Sequence, residues 1–121
     1  MLGYVTLGTN HMERALPFYD ALLAEFGAKR SFSNDRLQFY SGKGGMIAIG
    51  KPYDGQAASV GNGTMVALPA RDREMVDKVY AKAISLGAAD EGAPGERLPT
   101  FYGAYFRDLD GNKFCVFHFT G

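Results

Sequence analysis

The two halves of this chain match at an offset of 60 residues. Leu16 falls on Val76, Phe26 on Leu86, and Gly27-Ala28 on Gly87-Ala88. Around these matches each half reads in the same order: strand, helix, strand, strand, strand. One coincidence would carry little. Five elements in one order, with both helices ending in Gly-Ala, predict a duplicated βαβββ unit and hence an α+β fold.

Local signals supply the elements. Residues 3–8 are short, rich in β-formers and closed by glycine, so a strand is expected there. Asn10, with Glu13 three positions on, is the Asn-x-x-Glu form of a capping box and predicts Asn10 as a helix N-cap. Met12, Ala15, Leu16, Tyr19, Leu22, Leu23 and Phe26 then share one helical face. Gly27 stands where a left-handed residue ends a helix. Pro17 removes a backbone donor inside that stretch, so a kink or an irregular first turn is expected. Strands are expected at 29–33, 37–41 and 46–50, with turns at Asn34-Asp35 and Gly42-Lys43-Gly44-Gly45. In the second half, 64–68 reads as a strand stopped at Pro69. Asp72 and Glu74 favour a helix start, and Met75, Val76, Val79, Tyr80, Ala83 and Leu86 form its apolar stripe up to Gly87. A weak strand at 88–91 follows, then strands at 101–107 and 113–119 joined by the turn Asp108-Leu109-Asp110-Gly111-Asn112. The expected organisation is one domain over 1–121: a first unit at 1–51, a connector at 52–63 and a second unit at 64–121.

Composition narrows the function classes. A chain of 121 residues is one domain's length and needs neither disulfides nor metal to hold a core. Thirteen basic residues balance thirteen acidic ones, scattered along the chain, so no basic stripe points to nucleic acid. No apolar run approaches the roughly 20 residues of a membrane span. The single cysteine permits no internal disulfide and suits a reducing compartment. With a strand signal starting almost at Met1, no leader is expected, and the expectation is a cytoplasmic protein.

Paired βαβββ units, Phe18-Tyr19 in the first helix and Asp110-Gly111-Asn112 before the last strand together resemble the vicinal oxygen chelate superfamily. That superfamily includes glyoxalase I, extradiol dioxygenases and bleomycin-resistance proteins. Gly61-Asn62-Gly63-Thr64 and the run Tyr102-Gly103-Ala104-Tyr105-Phe106-Arg107-Asp108 are similar to a small single-domain glyoxalase-like branch. The resemblance implies that the two sheets form one curved, incomplete barrel with the helices outside and a cleft within. In metal-dependent members, a histidine on the first strand, a histidine or glutamate on the strand opening the second unit, and a glutamate after the Asp-Gly-Asn turn hold a divalent cation. The matching positions here are Tyr4, Met65 and Cys115. A neutral phenol and a thioether are poor ligands for that metal class, and one thiolate does not make a zinc site. The two histidines offer no replacement: His11 lies at the first helix's start, and His118 points to the face opposite Cys115 by strand alternation.

Other motifs read more simply. Asp108, Asp110 and Asn112 resemble a calcium-loop fragment but lack its far ligand, so turn chemistry is the better reading. Cys115 lies in an apolar run and reads as a small buried hydrophobe, with no neighbour that would make it a nucleophile. The glycine-rich stretch at 42–45 precedes a strand rather than a helix, which fits a turn and not a phosphate loop, although Lys43 stays within solvent reach for a ligand contact. Tyr102 and Tyr105, with Phe101 and Phe106, are either core or a stacking surface, and alternation separates Tyr105 from Tyr102 and Phe106. Lys113, Cys115, Phe117 and Phe119 alternate with Phe114, Val116 and His118, which suits a strand with a helix on one side and a cleft on the other. Candidate cleft-lining residues are therefore Tyr4, Met65, Tyr102, Tyr105, Cys115 and Phe117. The expected function is metal-free binding of an aromatic or amphipathic small molecule in an apolar cleft, with no cofactor and no catalytic residue. The alternatives are a lactoylglutathione lyase-like or ring-cleaving enzyme with atypical ligands, using Tyr4 as acid or base, or a paralogue with a filled pocket. Exposed strand edges make a homodimer the expected assembly.

Overall fold

A computed structural model describes all residues 1–121, which divide into two compact units, Met1–Val60 and Gly61–Gly121. In the first unit, β1 (Tyr4–Gly8) leads into α1 (Met12–Ala24), followed by β2 (Lys29–Ser33), β3 (Leu37–Ser41) and β4 (Met46–Gly50). The second unit repeats the order with β5 (Val66–Pro69), α2 (Arg73–Ser85), β6 (Ala89–Leu98), β7 (Phe101–Arg107) and β8 (Lys113–Phe119). The sheets run β1-β4-β3-β2 and β5-β8-β7-β6. In each, the first strand crosses over the helix to lie parallel to the fourth, and the other pairs are antiparallel. The repeat in the sequence is thus a repeat in topology.

Both helices obey their apolar stripes. Ala15, Tyr19, Leu22 and Leu23 are buried, joined by Phe18, and α1 packs on β4 and β2. A fully buried leucine such as Leu22 stabilises the fold by about 1.5–3 kcal/mol. Tyr40 is buried on this side too. Its hydroxyl donates to Asp20 on α1 at 2.7 Å, and Arg30 of β2 grips both carboxylate oxygens of Asp20 at 2.8 Å. In the second unit, α2 lays Val76, Val79 and Ala83 over Ala104, Phe106, Phe114 and Val116, all fully buried. Gly27 and Gly87 end their helices with φ of +74° and +101°, a backbone region that costs other L-residues energy. No helix is long and apolar enough to cross a membrane.

Three local expectations need correction. Asn10 does not cap α1. His11 holds that position without a side-chain bond, because the Asn10 amide is engaged by the connector: its oxygen accepts from Ala58 N–H at 2.7 Å and its Nδ2 donates to the Ala58 carbonyl at 3.1 Å. Helix α1 includes Pro17, and in its first turn the N–H groups of Arg14 and Ala15 both donate to the His11 carbonyl. The strand expected at 64–68 is shifted to Val66–Pro69. It borders only β8, and on an edge the missing N–H of Pro69 costs no ladder bond. The weak strand at 88–91 is instead ten residues long, β6, with register irregularities between Asp90 and Gly92, between Gly92 and Gly95, and between Glu96 and Leu98. The first strand starts one residue later than expected, at Tyr4, and the other expected strand limits match. Helix α2 starts where Asp72 and Glu74 favour it, with Asp72 capping it by accepting from Met75 N–H at 2.8 Å.

Candidate functional site

Side-chain alternation splits each sheet into a side packed on its helix and a side without one. In the second unit, the helix side of β7 and β8 carries Ala104, Phe106, Phe114, Val116 and His118. The other side carries Phe101, Gly103, Tyr105 and Arg107 from β7, opposite Phe119, Phe117, Cys115 and Lys113 from β8. Phe101 and Phe117 stack there with ring centroids 5.3 Å apart and planes 10° from parallel. Gly103, between Phe101 and Tyr105, leaves the space the Phe101 ring fills, since a Cβ would come within 3.0 Å of its edge.

Tyr105 and Cys115 are direct cross-strand partners. Burial pushes the Cys115 thiol above its ordinary range, against the opposing pull of the Tyr105 hydroxyl and of Arg97 and Lys113. The Tyr105 phenol is raised as well, first by burial and then by Cys115. Both groups therefore keep their protons near neutral pH. Around the Tyr105 ring stand two cations, the Arg97 guanidinium at 5.3 Å and the Lys113 ammonium at 5.7 Å from the centroid. Glu91 ties Lys113 at 3.9 Å and Arg107 at 3.3 Å. Arg97 fits because β6 has no side chains in its path: a Cβ at Gly95 would lie 2.8 Å from its Nη1, and one at Gly92 would lie 3.2 Å from its Nη2. Three cations against one carboxylate leave this face positive.

The candidate residues fall as follows. Tyr105, Cys115 and Phe117 share the helix-free face. Met65 immediately precedes β5 and is 42% exposed, two residues before Ala67, the parallel partner of Cys115. Tyr102 is placed apart from them, on the helix side. Its hydroxyl donates to Asp77 at 2.6 Å and its ring lies under Arg73, both on α2. Tyr4 belongs to the first unit, where it meets the Phe39 ring edge-on at 5.0 Å on the helix-free face that also holds Leu37, Ala48 and Met46. Reasoning from sequence missed Arg97 and its glycine cradle. The Gly92-x-x-Gly95-x-Arg97 spacing was the only signal.

A divalent metal of the implied kind does not fit these residues. Neither unit gathers three His, Cys, Asp or Glu side chains. Cys115 is the single cysteine, and one sulfur ligand does not make a site. His118 is occupied elsewhere, its Nδ1 donating to the Ala70 carbonyl at 3.0 Å, and His11 sits at the start of α1 beside Glu13.

Two βαβββ units of identical strand order, each with its helix on one side of its sheet, define a glyoxalase-like α+β scaffold. The chain belongs to the Glyoxalase/Bleomycin resistance protein/Dioxygenase superfamily, whose sequence profile matches residues 1–116. It is similar to the crystal structure of a glyoxalase/bleomycin resistance protein from Albidiferax ferrireducens, at 38% identity over 98% of both chains and a TM-score of 0.90. A family enzyme from Burkholderia phytofirmans shares the fold at 20% identity, 97% coverage of both chains and a TM-score of 0.80. A lactoylglutathione lyase from Agrobacterium tumefaciens does so at 21% identity, covering 98% of this chain and 92% of that one, with a TM-score of 0.73. No functionally curated protein matches the chain.

Proposed function

We propose that this protein binds a small aromatic or amphipathic molecule without a metal ion, on the helix-free face that carries Tyr105, Cys115 and Phe117. The observation that carries the reading is the Cys115 position. Where a metal-dependent relative would place an oxygen donor, this chain has a buried, protonated thiol beside a protonated phenol. Stacked Phe101 and Phe117 offer a flat apolar surface, and Arg97 and Lys113 at Tyr105 favour a π-rich or partly anionic ligand. A cytoplasmic homodimer is part of the same proposal. The free, buried cysteine suits a reducing compartment, and the wholly exposed edge strand β2 suits pairing between chains.

The test combines metal analysis with titration of the amphipathic probe 8-anilinonaphthalene-1-sulfonate. Purified protein should bind it with the same affinity before and after exhaustive treatment with a chelator, and Phe117→Ala should weaken it several-fold. Stoichiometric divalent metal in untreated protein, with binding or glyoxalase turnover lost on chelation, would refute the proposal.

A further inference from the structure

We propose that the first unit holds a separate pocket for a small organic oxyanion, a carboxylate or a phosphate ester, bound by Arg36 and Lys51. The pocket has a volume of about 480 Å³ and lies between the ends of β1 and β4 and the connector that follows β4. That is within the usual range for small-molecule sites. Every lining residue belongs to the first unit, whereas the face proposed above belongs to the second.

Its walls are built rather than incidental. The connector is pinned to the start of α1 by the two hydrogen bonds between Asn10 and the Ala58 backbone. Gly8 lets Ala58 approach, since a Cβ there would come within 2.8 Å of the Ala58 methyl group. Gly50 is equally required, because a Cβ would collide with the Arg36 carbonyl oxygen. Asn10 thus tethers the connector, Gly8 lets it lie close to β1, and Gly50 makes room for the backbone of Arg36.

Charge indicates what the pocket takes. The Arg36 guanidinium is oriented by its Nη1 donating to the Lys51 carbonyl at 2.8 Å and by the Tyr53 ring 5.3 Å away. Neither Arg36 nor Lys51 pairs with a carboxylate of the chain. The one acidic residue in the lining, Asp54, turns its Oδ1 to the Gln56 N–H at 2.9 Å. A pre-oriented guanidinium with unspent N–H donors, and a lysine in the same lining, favour an oxyanion, which they would hold by charge-assisted hydrogen bonds. Tyr53, 89% exposed, leaves aromatic surface available to a flat body attached to that anion.

The experiment is a two-dimensional amide NMR titration with phenyl phosphate, benzoate and inorganic phosphate, with benzyl alcohol as the neutral control. At millimolar concentration at least one anion should shift amides of residues 6–8 and 50–59, and benzyl alcohol should not. Lys51→Met removes a charge whose ammonium makes no internal bond, so it should leave melting unchanged and weaken binding about tenfold. Arg36→Gln should weaken it at least as much, and raised salt should weaken it in the parent protein. The proposal fails if no anion shifts these amides, if the shifts fall in residues 61–121, or if Lys51→Met binds as tightly as the parent.

Discussion

Replacing Asp108 by alanine should destabilise the second unit more than any other single change in its turns. Asp108 is only 6% exposed, and its carboxylate organises the loop that joins β7 to β8. One oxygen accepts from the backbone N–H of Asp110 at 2.9 Å and of Asn112 at 2.8 Å, and the other accepts from the Asn112 side-chain amide at 2.9 Å. Alanine removes both acceptor oxygens and with them three hydrogen bonds, two of them from donors of buried Asn112. Hydrogen bonds to a charged group are worth about 1.5–3 kcal/mol each and do not add fully, so the loss should total about 3–5 kcal/mol. That is roughly 10–20 °C in melting temperature for a domain of this size. Asp108→Asn keeps an oxygen for the two backbone donors but sets an NH₂ group against the Asn112 amide, which should cost about 1–2 kcal/mol. Adding Asn112→Asp to that variant restores a donor–acceptor pair and should recover part of the loss. Urea unfolding followed by far-UV circular dichroism reads all three variants. An alanine cost below about 1 kcal/mol, or equal costs for alanine and asparagine, would refute the assignment of the loop's order to this carboxylate.

Three further outcomes are expected. Arg30, through its hydrogen bonds, is the main cause holding the Asp20 carboxyl below its ordinary value. The resulting stabilisation is therefore complete above the unfolded value near ~4 and lost as pH falls through the folded one. With side chains 47% and 44% exposed, solvent screening limits it to below about 1 kcal/mol, and Asp20→Asn should flatten that acid limb in pH-dependent urea unfolding. Cys115, buried with its thiol raised, should react with a disulfide reagent at pH 7 only as fast as the unit opens, and stoichiometric labelling of native protein within the mixing time would contradict this. Light scattering should give the mass of a homodimer, and a strictly monomeric mass at high micromolar concentration would remove that expectation.

The fold was legible because its signals are local and repeated. Gly27 and Gly87, the apolar stripes of α1 and α2, and the hairpin turns each specify backbone geometry within a few residues, and the 60-residue offset made every signal count twice. Legibility fails where a residue serves a distant partner. Asn10 has the chemistry of an N-cap, yet Ala58 claims its amide from 48 residues away. Strand β6 contains Gly92, Pro94 and Gly95, which argue against a strand, but pairing with β7 and its bulges override propensity. The candidate site was half legible for the same reason. Alternation placed Cys115 and Phe117 on one face and separated Tyr105 from Tyr102, whereas the hydrogen bond of Tyr102 to Asp77, which fixes it on the helix side, depends on packing.

The two units kept one architecture while their helix-free faces diverged. On the first, Tyr4, Phe39, Leu37 and Met46 make an apolar, aromatic surface. On the second, aromatic rings stand beside Arg97, Arg107 and Lys113, and Gly92 and Gly95 open the space Arg97 needs. Helix-side positions have little freedom to change, because Val76, Val79, Phe106 and Phe114 are fully buried against one another and a change in volume is felt directly. Helix-free positions such as Tyr105 and Phe117 carry less of that constraint. Faces can therefore differ while the scaffold stays the same, and for that reason topology alone assigns the superfamily but not the reaction.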